Sequence, residues 1–157
     1  MEHTSAHQAH GSALTRLAIS ATNHCLTGCV IGEVTGMFIA TALGWGDVAS
    51  IALAVGLAYI FGFTLTARPL VRAGLAAGTV ISTALAVDTL SITIMEVIDN
   101  VFVVLVPGAM DAGIDDLLIY ASIAGGFVIA YPFAFLANRY LIARGKGHAL
   151  VHEYHSH

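Results

Sequence analysis

The densest chemistry in this chain lies in the stretch His24-Cys25-Leu26-Thr27-Gly28-Cys29-Val30-Ile31-Gly32-Glu33. Helical residues four apart share a face. Cys25, Cys29 and Glu33 therefore form one stripe, and His24, Gly28, Gly32 and Gly36 form the stripe beside it. Thiolate, imidazole and carboxylate together are a donor set for zinc, and thiolate with imidazole and thioether suits Cu(I). A plainer reading of a buried cysteine is a small apolar residue; two of them beside a histidine and in line with a glutamate favour chemistry. The glycines have small-xxx-small spacing, which lets another helix approach closely. A disulfide between helical i and i+4 positions is geometrically awkward, so Cys25–Cys29 is not read as a staple.

A second stretch, Asp88-Thr89-Leu90-Ser91-Ile92-Thr93-Ile94-Met95-Glu96-Val97-Ile98-Asp99-Asn100, places Asp88, Ser91, Met95 and Asp99 on one helical face, bordered by Glu96. A carboxylate at mid-bilayer costs about 2.5–3.5 kcal/mol on insertion scales, so such residues are expected to face a partner, water or an ion. The candidate metal set is thus His24, Cys25, Cys29, Glu33, Asp88, Met95 and Glu96, with Asp99 and Asn100 at the pathway entrance. A third group, His148, His152, His155 and His157, follows Gly145-Lys146-Gly147, and His3, His7 and His10 lie near the other terminus. Neutral imidazoles bind borderline metals, so these segments read as capture tails; the competing reading is a solubilising tail.

The elements that must position these residues are membrane helices. Of 157 residues, 57% are hydrophobic and 10% charged, against about 25% charged in ordinary soluble domains. Four apolar stretches, near 17–43, 48–67, 73–106 and 114–142, each reach the roughly 20 residues that cross a hydrocarbon core. The expected fold is an all-α integral membrane protein of about four transmembrane helices spanning 17–142, flanked by tails at 1–16 and 143–157. The third stretch exceeds one straight span, so Asp99-Asn100 reads as its exit or a break. The run to Val106 is then a helical extension or an interfacial segment, stopped by Pro107-Gly108. Residues 1–11 are polar and lack a basic n-region, so the first apolar run reads as a retained span and not a signal peptide.

Charge placement sets the orientation. Arg16, Arg68, Arg72, Arg139, Arg144 and Lys146 fall on one side of four spans, and Asp47, Asp111, Asp115 and Asp116 on the other. The positive-inside rule then puts both termini in the cytoplasm. Counting from Arg16 and Arg72 at 1.5 Å per residue brings Glu33 and Asp88 to nearly equal depth, roughly 24–26 Å along each helix. On that count Cys25 and Cys29 lie nearer the cytoplasm, and Glu96 and Asp99 nearer the outside.

The motifs quoted above, together with Asn138-Arg139 and Gly145-Lys146-Gly147-His148, resemble a family of small bacterial integral membrane proteins catalogued only as a domain of unknown function. The resemblance covers nearly the whole chain. It implies a four-helix protein of the bacterial inner membrane and brings no activity with it.

Three functions compete. One is a transition-metal transporter or metal-binding membrane protein for copper or zinc. Another is a proton or cation channel with Glu33, Asp88 and Glu96 as a relay. The third is a non-catalytic subunit of a larger membrane complex, with the glycine stripe as its docking face. A homo-oligomer is expected because one protomer is narrow. No nucleophile with a positioned base and no nucleotide motif is present, so no enzyme is expected. Bis-histidine haem is disfavoured because only His24 lies in a span. The net charge of −4 is small and says little about partners; the lack of basic runs interleaved with aromatics argues against nucleic acid.

Overall fold

Long apolar runs with few breakers fold as helices because lipid offers no partner for a free backbone amide. The computed structural model describes residues 2–72, 74 and 76–144, and they form four helices: α1 (Glu2–Ala42), α2 (Asp47–Arg72), α3 (Ala77–Leu105) and α4 (Leu117–Ala143). Among the described residues, three segments are long and apolar enough to cross a membrane: Gly11–Ala42, Asp47–Arg68 and Leu117–Ala143. α3 is of similar length at 29 residues and carries Asp88, Glu96 and Asp99. All three are buried, so the helix keeps an apolar outer surface. α1 also extends well before the expected span, to Glu2, since no proline intervenes.

The helix ends follow local rules. α1 stops at Gly44, whose φ of 67° is a left-handed conformation natural to glycine. There Trp45 N–H donates to the Ala40 carbonyl and Gly44 N–H to that of Thr41, closing a Schellman motif. α3 runs unbroken through Asp99 and Asn100 to Leu105, with Val106 as its cap. The expectation of a break at Asp99-Asn100 is therefore corrected, and the run towards Val106 is the helical extension, one of the two expected alternatives. Helical Asn100 donates from Nδ2 to the Glu96 carbonyl at 2.8 Å, and Pro107, unable to donate, follows the cap. Asp116 caps α4 by accepting from Leu118 N–H at 2.8 Å.

The bundle is up-down-up-down, with α1 and α2 in the tightest contact. A Cβ built on Gly28 would lie 2.5 Å from Gly62 Cα, one on Gly32 would strike the Ala58 backbone, and one on Gly36 would lie 2.6 Å from Ala54 Cα. Each step up α1 meets a step down α2, so the pair is antiparallel and backbone packs on backbone. Lipid tails are as apolar as leucine, so this association rests on close van der Waals contact. The glycine stripe is thereby occupied by α2 and is not a free docking face. α4 approaches α3 in the same manner: Gly126 leaves the space taken by Asp99, and Gly125 packs on the Phe102 ring. The described arginines thus gather at one end of the bundle, the basic end. Asp47, Asp111, Asp115 and Asp116 gather at the loops of the other, the acidic end.

Candidate functional site

Polar side chains from all four helices meet inside the bundle near its basic end. The Asp88 carboxylate is at the centre of this node. Its Oδ1 accepts from the Thr66 hydroxyl of α2 at 3.0 Å and from the Cys25 thiol of α1 at 3.4 Å. On α4, Asn138 donates from Nδ2 to Thr22 Oγ1 of α1 at 3.0 Å and to Ser91 Oγ of α3 at 3.1 Å. Cys25 also lies beside Ser91 and Asn138. Thr22, Cys25, Asp88, Ser91 and Asn138 have no exposed surface, and Thr66 is buried.

Towards the acidic end the bonding thins out. Cys29 lies beside Glu96, Glu33 beside Asp99, and the three carboxyls of Glu33, Glu96 and Asp99 neighbour one another. Both oxygens of Glu96, both of Asp99 and Oε2 of Glu33 are buried with no hydrogen-bond partner. Two ionised carboxylates cannot bond to each other, since neither has a proton to donate. Above them a cavity of about 200 Å³ is lined by Glu33, Asn100, Met37, Trp45, Asp47 and the 109–114 loop, among others. The node, the three acids and the cavity form one polar column running lengthwise through the bundle.

The column corrects the register expected from charge counting. Glu33 is not level with Asp88. Cys25 is Asp88's partner, eight residues earlier on α1, a shift of about 12 Å along the axis. Glu33 is level with Asp99 instead, and the thiols alternate with the acids rather than lying beneath them. Of the proposed metal set, Cys25, Cys29, Glu33, Asp88 and Glu96 face the column. Met95 is fully buried and packs in the core with both cysteines. His24 is turned outward, its Nδ1 within 2.7 Å of the Ser20 carbonyl. Among the described residues, no three His, Cys, Asp or Glu side chains gather as a metal site. Asn100 lines the cavity, whereas Asp99 lies beneath it, fully buried. Gly28, Gly32 and Gly36 pack helices as expected. His148, His152, His155 and His157 lie outside the described residues, as do the side chains of His3, His7 and His10.

Sequence reasoning missed Thr22, Thr66, Asn138 and Gly126. Threonine in a helix commonly bonds its own backbone, as Thr22 does to the Ala18 carbonyl at 2.7 Å, so it gives little signal. Asn138, a lone amide in an apolar run, was the one legible sign.

Fold and column together define a small all-α integral membrane protein with a polar interior. The chain belongs to the family described as Domain of unknown function (DUF4396), whose sequence profile matches residues 15–147, in keeping with the resemblance read from the motifs. No curated protein and no solved structure matches the chain.

Proposed function

We propose that this protein is a cation pathway of the cytoplasmic membrane, with the carboxylate column carrying protons or small cations between the acidic and basic ends. One observation carries the reading: four carboxylates, Glu33, Asp88, Glu96 and Asp99, are buried in the bundle, while every described arginine is exposed. Buried charge without an opposite charge is expensive, so a proton or a bound cation must balance it. Intramembrane acids in series characteristically mark ion paths. The cavity at the acidic end supports entry there, and segregation of arginines to the other end supports a cytoplasmic location for both termini. Reconstituted liposomes carrying a pH dye test the reading. Under an imposed potential, the protein should pass protons or a monovalent cation, and Asp99→Asn should reduce that flux about tenfold. Liposomes no leakier than empty ones to any of these ions would overturn it.

A second reading has its own observation. Thiols lie against carboxylates at two levels, Cys25 with Asp88 and Cys29 with Glu96. Such donors suit Zn(II), or Cu(I) with Met95, and a transition metal would need the two levels to draw together. Purified protein would then hold copper or zinc, and Cys25→Ser with Cys29→Ser would remove it. Equal metal content in both proteins would end this reading.

A further inference from the structure

The node at the basic end has an unfilled valence. Asp88 and Asn138 have no exposed surface, yet Asp88 Oδ2 and Asn138 Oδ1 lack any hydrogen-bond partner. The amide cannot be turned over to relieve this. The Thr22 hydroxyl proton is committed to the Ala18 carbonyl, so Thr22 Oγ1 can only accept, and the group facing it must be the amide NH₂. Asn138 Oδ1 therefore stays an acceptor without a donor. Asp88 Oδ2 is in the same position, because the Thr66 hydroxyl and the Cys25 thiol both donate to Oδ1. Two such acceptors in one fully buried node, held by residues of all four helices, are unusual for a settled core.

We propose that this node is a binding site for one small, hard monovalent cation of the sodium class, held by the Asp88 carboxylate and the Asn138 carbonyl oxygen, with Ser91 and Thr22 accepting from the Asn138 amide and so fixing its orientation. The ligand types argue for it. These are oxygens, which suit hard cations and not soft metals. The charge count argues for it too. Asp88 is the node's one carboxylate, so a single positive charge neutralises it, and a divalent ion would leave an excess. The Cys25 thiol then serves as a donor that positions Asp88 and not as a ligand. The inference rests on the cation-pathway reading above and narrows it to an ion and a resting place.

A cation bound at a node that joins four helices must stabilise the bundle by mass action. The test uses the purified full-length protein in detergent, in sodium, potassium or choline chloride at equal ionic strength, followed by thermal unfolding and by retention of radioactive sodium. Sodium is expected to raise the Tm saturably by about 5 °C over choline and to be retained at about one ion per chain. Asp88→Asn should lose the shift and the retention, Ser91→Ala, which removes a hydrogen bond that orients Asn138, should weaken both, and Asp115→Asn, exposed on the acidic-end loop, should keep both. Should the node variants fail to fold, the wild-type contrast between sodium and choline decides. Equal Tm in all three salts with no retained sodium overturns the site, and proton flux surviving in sodium-free liposomes would then leave the pathway reading standing. Sodium retention without any flux would keep the site and remove the pathway.

Discussion

Asp88 and Asp99 are both aspartates on α3, both without exposed surface, and their surroundings differ. Around Asp88, a hydroxyl and a thiol from two other helices donate to one oxygen, and a neighbouring amide ties α4 to α1 and α3. Around Asp99 there are only other acids and the glycine gap of α4, and neither oxygen has a donor. One end of the column is therefore anchored by directed bonds, and the other is a cluster of acids without donors under an open cavity. Polar groups in a membrane interior are retained at a cost, and the two ends bear it for different reasons. The bonded end specifies how four helices come together. On the proposed pathway, the unbonded end is where acids exchange a proton or ion with the cavity. Substitutions of similar size should therefore have opposite consequences at the two ends.

The largest effect on stability is expected from Asn138→Ala. It removes two hydrogen bonds, each about 0.6 kcal/mol on the average for membrane interiors, and opens a gap among four helices. A loss of about 2–3 kcal/mol should appear as a clear fall in thermal stability in detergent. An unchanged Tm would mean that the bonded end holds nothing together. Gly126→Ala comes next. The added Cβ would strike Asp99 Oδ1 and lie 2.8 Å from Asp99 Cα, backbone that cannot swing away. Overpacking of this kind costs about 1–3 kcal/mol. It should also disturb flux, since it displaces an acid of the column. Full activity with Gly126→Ala would show that Asp99's position is not critical.

Asp99→Asn sharpens the contrast. An amide supplies donors to neighbouring acids that have none, so the bundle should become more stable by about 1 kcal/mol. Flux should nonetheless fall about tenfold, equivalent to about 1.4 kcal/mol on the barrier. Unfolding and liposome assays on the same preparation separate the two effects. A variant that is both less stable and fully active would reverse the assignment of the two ends.

The ease of reading these ends from sequence also differed. The helix count, the segregation of arginine from aspartate and the acid-bearing face of α3 all follow from periodicity and charge, and they stand in the fold. The glycine stripe was legible as a packing surface because close approach demands small residues. Its partner, the Gly62, Ala58 and Ala54 side of α2, was not, because small apolar residues are common throughout. The register between α1 and α3 failed for a specific reason. Arg16 lies well inside α1, whereas Arg72 is the last residue of α2, and α3 begins only at Ala77. The pairs Gly28–Gly62 and Gly32–Ala58 put Arg16 and Arg72 at nearly the same level, but the count from Arg72 to Asp88 runs through the turn before α3, where the chain reverses and gains no depth. Hydrogen bonds such as Cys25–Asp88 depend on that register, so the sequence held the correct donors with the wrong partners.

The smallest expected effect lies at the cavity mouth. Asp47 lines it on the acidic end and is exposed, so it acts on an approaching cation only through a screened field. Asp47→Asn should lower flux by about twofold in low salt, and the difference should vanish near 1 M salt, where the screening length falls to about 3 Å. Stability should not move, because an exposed charge without a partner contributes little. The salt dependence is the informative part. A twofold loss that persists at high salt would mean Asp47 contacts the ion directly, and the entrance would then extend the unbonded end of the column to the surface. A loss that screens away confines the acids that matter to the four buried ones, Glu33, Glu96, Asp99 and Asp88, beneath the cavity floor.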